Sequence, residues 1–158
     1  MTKENRLHGR IAWVTGSSRG LGKVIATHLA GLGASVAIHG TSPRSARAFG
    51  EADSLQAVAD AIHEETGSPV FSVWGDLSDE AQVALIASQV RERFGQIHVL
   101  VNCAGGDIGS AGTSGPMGGK PPANDAIHIP VRDIKSVLDR NLMTCILCCR
   151  EVAPEMMA

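Results

Sequence analysis

Short apolar runs and helical periodicities alternate along most of this chain. Ile11-Ala12-Trp13-Val14 is an unbroken apolar run, and Leu21, Val24, Ile25, His28, Leu29 and Leu32 then recur at helical spacing, ending at Gly31 and Gly33. This change of period predicts a strand followed by a helix. Ser35-Val36-Ala37-Ile38-His39 predicts a second buried strand closed by Gly40. A short helix after Pro43 and a helix over about 53–65 come next. Pro69-Val70-Phe71-Ser72-Val73-Trp74 predicts a third strand, ended by Gly75-Asp76. Ser78, Asp79 and Glu80 place a cap and acids at the positive end of a helix dipole. Val83, Ile86, Val90 and Phe94 form that helix's apolar face, and Gly95 stops it. Ile97-His98-Val99-Leu100-Val101 predicts a fourth strand, whose continuous apolar character suits a parallel sheet covered on both faces.

The rhythm breaks over residues 105–130, where Gly105, Gly106, Gly109, Gly112, Gly115, Gly118 and Gly119 mix with Pro116, Pro121 and Pro122. A loop of this length is functional or disordered as a rule. It follows the C-terminal end of a strand, where open α/β sheets bind ligands, so residues 106–130 are expected to form a mobile substrate-side loop. A last helix is expected over about 131–156, with Ile134, Leu138, Leu142 and Ile146 along one apolar side. The class is therefore α/β: a Rossmann-type, doubly wound parallel sheet with right-handed crossovers.

Composition narrows the reading. The 158 residues fit one domain, 1–158. No apolar run approaches a membrane span, and the first ten residues are polar and basic, so a cytoplasmic protein without membrane contact is the expectation. Cys103, Cys145, Cys148 and Cys149 lack the spacing of a zinc site and are expected to be reduced packing residues, with no metal bound. Charge is unevenly spread. Residues 1–50 hold seven Lys/Arg against one acid, Glu4, and the next acid is Glu51. With only 3% aromatic residues and no basic helix, nucleic acid is not the expected partner. Bound phosphate is.

A phosphate site has an obvious place. Thr15-Gly16-Ser17-Ser18-Arg19-Gly20-Leu21-Gly22 lies between the first strand and first helix, the order a dinucleotide pyrophosphate site requires. Gly16 permits the tight turn, Gly20 lets backbone approach phosphate, and Gly22 lets helix pack on strand. The free N–H groups of the helix would face the anion.

Four segments together resemble the short-chain dehydrogenase/reductase family, in its 3-oxoacyl-carrier-protein reductase-like form. Thr15-Gly16-x-x-x-Gly20-x-Gly22 has that family's glycine spacing. Val73-Trp74-Gly75-Asp76-Leu77 is similar to its adenine-contacting segment, with Asp76 as acceptor for the adenine amine and Leu77 beside it. Leu100-Val101-Asn102-Cys103-Ala104-Gly105 resembles its Asn-Asn-Ala-Gly motif, with Cys103 in place of the second Asn. The resemblance places Asn102, Ala104 and Gly105 along the cofactor ribose. Asp139-Arg140-Asn141-Leu142 resembles the segment whose Asn belongs to the catalytic tetrad. Asn141 falls among Leu138, Leu142 and Cys145, where burial and a specific partner are expected; a structural hydrogen bond to a neighbouring loop is one alternative. By resemblance, Asn141 holds a water that passes protons to a catalytic lysine.

Cofactor choice follows from charge as well. The second strand runs into Ile38-His39-Gly40-Thr41-Ser42-Pro43-Arg44 without the carboxylate that grips a ribose 2′-hydroxyl in NAD enzymes. Arg19 and Arg44 resemble the basic residues of NADP-preferring members, and Thr41 and Ser42 add hydroxyl donors. NADP is expected over NAD.

The resemblance implies a strand order of 3-2-1-4, a carbonyl or secondary-alcohol substrate and homo-oligomers built through the last helix. The family's Ser and Tyr-x-x-x-Lys lie downstream of its Asn, whereas this sequence has no tyrosine and ends at Ala158. Ser110, Ser114 and Lys120 are not assigned those roles. The expectation is therefore a truncated chain, the cofactor-binding half of the enzyme without the C-terminal strands, inactive by itself. The alternative is a non-catalytic dinucleotide-binding module.

Overall fold

The computed structural model describes residues 6–47, 50–113 and 115–158. Four parallel strands, β1 (Ile11–Val14), β2 (Ser35–Gly40), β3 (Val70–Trp74) and β4 (Val99–Val101), lie side by side in the order β3-β2-β1-β4. This is the expected order. The register pairs Ala12 with Val36 on one side and with Val99 on the other, so β1 is central. Among the described residues, five α-helices connect and follow the strands: α1 (Gly20–Gly31), α2 (Leu55–Thr66), α3 (Glu80–Phe94), α4 (Val131–Leu138) and α5 (Thr144–Met157).

Strand alternation divides the core into two layers. Ala12, Val14, Val36 and Ile38 face α1 and α2, where they meet Ala26, Ala30, Val58 and Ile62. Trp13, Ala37 and Val73 face the other way, onto Val83, Ile86 and Val90 of α3 and Cys148 and Val152 of α5. Helices thus cover both faces, as a parallel sheet requires. Arg91 joins α3 to α5, its Nη1 meeting Glu151 Oε1 at 2.7 Å and its Nη2 meeting Glu155 Oε1 at 3.1 Å. Burial alone would lower the Arg91 pKa, but these two carboxylates outweigh it and raise the pKa.

Two sequence expectations change. The buried residues of α1 are Gly22, Ala26 and Ala30, while Leu21 and Val24 are exposed. A column of small residues lets this helix lie close against the sheet, and the larger apolar residues stand to its sides or outward. The second change concerns the last helix. It divides into α4, a wide π turn over Asp139–Met143, and α5. The expected inward side, Leu138, Leu142 and Ile146, is exposed at 51%, 55% and 42%. Asp133, Thr144, Cys148 and Val152 are buried instead. The first two face loop backbone and a cleft, which polar groups satisfy and leucines do not.

Smaller differences follow from capping. Ser54 accepts from Ala57 N–H and starts α2 two residues later than expected, and left-handed Gly67 ends it. The expected helix after Pro43 includes residues 48 and 49, and Ser114 belongs to the long loop; these, with Glu4, lie outside the described residues. All four cysteines are free thiols. No helix among the described residues is long and apolar enough to cross a membrane.

Candidate functional site

The C-terminal ends of β1, β2, β3 and β4 are tied together by side chains that hydrogen-bond to backbone. Thr15 Oγ1 donates to Val101 O at 3.3 Å and accepts from the N–H groups of Cys103 and Ala104, both at 3.0 Å. This brings the β4 extension against the glycine turn. Gly16 there has φ +62°, and a Cβ on it would collide with the backbone of Ala104 and Cys103. On the other side, Ser17 Oγ donates to Val14 O at 2.6 Å and accepts from His39 N–H at 2.8 Å.

His39 completes the frame. Its Nδ1 accepts from Gly16 N–H at 3.2 Å, so Nε2 carries the proton and donates to Gly75 O at 3.1 Å. One neutral imidazole therefore links the glycine turn to the end of β3. Burial pushes its pKa down to about 4, against smaller opposing effects of Gly75 and Asp76.

The start of α1 differs from its neighbours. Ser54 caps α2, and Asp79 caps α3 through Ala81 N–H and Gln82 N–H. Arg19 at the N-cap of α1 makes no side-chain capping bond, and the first turn carries no acid. The N–H groups of an uncapped helix start attract an anion. Beside them Gly20 has φ +55° and open space where a Cβ would stand, whereas a Cβ on Gly22 would strike Gly16 backbone. Thus Gly22 serves packing and Gly20 faces the opening.

That opening is a cleft lined by Gly16, Ser18, Arg19, Gly20, Leu21, Gly22, Thr41, Asp76, Leu77, Ala104 and Gly105 among the expected residues. Ser42, Arg44, Asn102 and Asn141 do not line it. Arg44 is exposed on the turn after β2, and Asn102 Nδ2 donates to Cys149 Sγ at 3.3 Å, away from the cleft. Seven further residues line it: Gly40, Ser45, Cys103, Ile108, Thr113, Arg140 and Thr144. Ser45 Oγ is buried and has no hydrogen-bond partner among the described residues, a cost of about 1–3 kcal/mol unless a ligand or water supplies one. Burial would raise the Asp76 pKa, but bonds from Ser78 hydroxyl and N–H and the Arg140 charge hold it below the ordinary carboxylate value. Asp76 is therefore an anionic acceptor at neutral pH.

Asn141 is exposed, not buried as expected. Its Oδ1 accepts from Gly106 N–H at 2.9 Å, while Nδ2 donates to Gly106 O at 3.0 Å and Val137 O at 2.7 Å. The amide reads both backbone groups of Gly106, which explains its presence among leucines. The same glycine-rich loop is pinned a second time. Asp133 Oδ1 accepts from Ser110 Oγ at 2.6 Å and Ser110 N–H at 2.8 Å, which hold its pKa below the usual range. Sequence periodicity missed Asp133, because an acid in the first helical turn reads equally well as a dipole partner.

The family model described as short chain dehydrogenase matches residues 10–158. A 2,3-dihydroxy-2,3-dihydro-p-cumate dehydrogenase from Pseudomonas putida is 32% identical over 152 residues, covering 96% of this chain and 50% of that protein. NADPH-dependent aldehyde reductase 2, chloroplastic, from Arabidopsis thaliana is 40% identical over 100 residues, covering 62% of this chain and 37% of that protein. The crystal structure of a hydroxysteroid dehydrogenase from Escherichia coli superposes with a TM-score of 0.75 at 26% identity, covering 99% of this chain and 56% of that one. The chain thus spans about half the length of relatives that it matches end to end. It belongs to the short-chain dehydrogenase family.

Proposed function

We propose that this chain is the NADP(H)-binding part of an oxidoreductase that moves hydride between a nicotinamide and a carbonyl or secondary alcohol. One observation carries the reading: a single cleft collects the uncapped start of α1, the open face of Gly20 and the anionic acceptor Asp76. These match the pyrophosphate and the adenine amine of a dinucleotide. The orphaned Ser45 hydroxyl and Thr41 stand at the β2 end, where the adenosine ribose would lie. Ser18 and Leu21 contribute to the phosphate turn, and Leu77, Ala104 and Gly105 to the ribose and base walls.

NADP is favoured by the chemistry of that end. Arg19 lines the cleft, Arg44 stands on the turn after β2, and no carboxylate follows β2 to repel a 2′-phosphate. The Arabidopsis relative is NADPH-dependent by name. When bound, the nicotinamide supplies or accepts the hydride. The chain's own residues bind and orient. Asn141 fixes Gly106 beside the cleft, and its Oδ1 keeps a lone pair for the relay water that the resemblance assigns to it.

This sequence has no tyrosine to serve as the family's acid/base, so no turnover is expected from the 158-residue chain alone. A second reading is a dinucleotide-binding module without catalysis, which predicts cofactor binding without turnover from the whole natural polypeptide. Self-association through α4 and α5 is part of the first reading, supported by the exposed ridge of Leu138, Leu142 and Ile146. A cytoplasmic setting also belongs to it.

The test is comparative binding of NADPH and NADH to the native chain, Arg19→Ala and Arg44→Ala. A lost charge-assisted bond of about 1.5 kcal/mol lowers NADPH affinity about tenfold. NADH affinity should change far less. Equal losses for both cofactors would overturn the NADP assignment.

A further inference from the structure

The cleft contains a cation that the glycine turn and the strand ends do not account for. Arg140, in the π turn between α4 and α5, lines the cleft. Its backbone is held by Thr144 Oγ1, which donates to Arg140 O at 2.9 Å. A methyl group on Gly112 would come within 3.9 Å of Nη2, so the guanidinium lies beside the glycine-rich loop. It acts on Asp76, since it is among the charges that lower the Asp76 pKa. Yet no ion pair joins the two, and the guanidinium has no hydrogen-bond partner among the described residues. A carboxylate and a guanidinium therefore share one end of the cleft without closing on each other.

We propose that Arg140 is a base-binding residue that packs against the adenine held by Asp76. The inference rests on the dinucleotide reading of the cleft and deepens it. What enters between these groups must satisfy both. A phosphate would suit Arg140 but would be repelled by Asp76. An aminopurine suits both: its exocyclic amine donates to Asp76, and its electron-rich face or a ring nitrogen meets the guanidinium plane. Arginine does this better than lysine because its flat, weakly hydrated cation stacks on a ring. The bases of guanosine and inosine carry a carbonyl where adenine has its amine, and this would face the Asp76 carboxylate.

Arginine footprinting on the unaltered chain tests this directly. Phenylglyoxal modification of Arg140 is mapped by mass spectrometry with and without saturating 5′-AMP, inosine 5′-monophosphate and nicotinamide mononucleotide. Protection of Arg140 by 5′-AMP, with little or none from the other two at equal concentration, is the expected result. Arg140→Met and Arg140→Lys add a binding measurement. The Met variant is expected to bind 5′-AMP and NADPH about tenfold more weakly, and the Lys variant to fall between it and the native chain. Binding of 5′-AMP that leaves Arg140 fully reactive overturns this inference and leaves the dinucleotide reading standing. Binding of neither 5′-AMP nor NADPH overturns both. Equal protection by nicotinamide mononucleotide moves Arg140 to the other end of the cofactor and also overturns it.

Discussion

The two walls of the cleft are built by different means. On the β1–β2 side, backbone meets backbone. Gly16 lies against Ala104, Gly22 against Gly16, and buried Thr15, Ser17 and His39 fasten the turns. On the opposite side, the loop after Gly105 rests on a few polar side chains. Asn141 holds Gly106 and Asp133 holds Ser110, with Leu138, Leu142 and Ile146 facing outward. The first wall is as stable as the core because moving it means unpacking the sheet. The second can yield locally by breaking the four hydrogen bonds from Asn141 and Asp133. A rigid wall facing a separately anchored loop lets the loop vary without disturbing the sheet.

Substitutions at the glycines should show the contrast most strongly. Gly16→Val places a branched side chain on a left-handed residue and into the Ala104 backbone. It is expected to destabilise the chain by at least about 3 kcal/mol in urea unfolding. Gly20→Ala has the same backbone sign but open space, so its stability cost is about 1 kcal/mol. Its NADPH affinity should nevertheless fall at least about tenfold, because on the dinucleotide reading the methyl group would stand where the phosphates approach. Similar stability losses for the two variants would remove the distinction between packing and ligand glycines.

The first wall should also respond to acid. His39 titrates near 6.5 when unfolded and about 4 when folded. The unfolded chain therefore binds a proton that the folded chain refuses between those values. Stability from neutral His39 is complete above pH 6.5 and is lost as pH falls through that window, by about 3 kcal/mol. Unfolding free energies of the native chain and His39→Asn, measured from pH 7.5 to 4, should converge as the pH falls. Parallel curves would show that His39 is not the titrating group.

Effects on the second wall are smaller and local. Asn141→Ala should cost about 1 kcal/mol and raise hydrogen exchange around Gly106. Exchange in β1 and β2 should not change. Ser110→Ala should leave global stability nearly unaltered and speed exchange at Ser110 itself, since Asp133 then loses its hydroxyl donor. Faster exchange spreading into the sheet would mean that the walls are coupled.

This contrast matches what could be read from the sequence. The first wall was legible because parallel strands, glycine turns and acid-free basic surroundings leave periodic or positional marks. Gly16, Gly20, Gly22 and Asp76 line one cleft. The second wall was read less well. Leu138, Leu142 and Ile146 share a helical face, but periodicity identifies a face without saying which way it points. Here Asp133 is buried and the exposed Asn141 reaches across to Gly106, because both meet loop backbone that needs hydrogen bonds. Arg140 left no mark at all: its neighbours in space, Asp76 and Gly112, are remote in sequence.

The most direct test of the central claim is a fluorescence titration of the 158-residue chain with NADPH and NADH. Trp74 is half exposed at the end of β3, two residues before Asp76, and supplies the signal. Saturable binding of NADPH at least about tenfold tighter than NADH is the predicted result. Absence of NADPH binding would contradict the cofactor-site assignment, and equal affinities would contradict the choice of NADP.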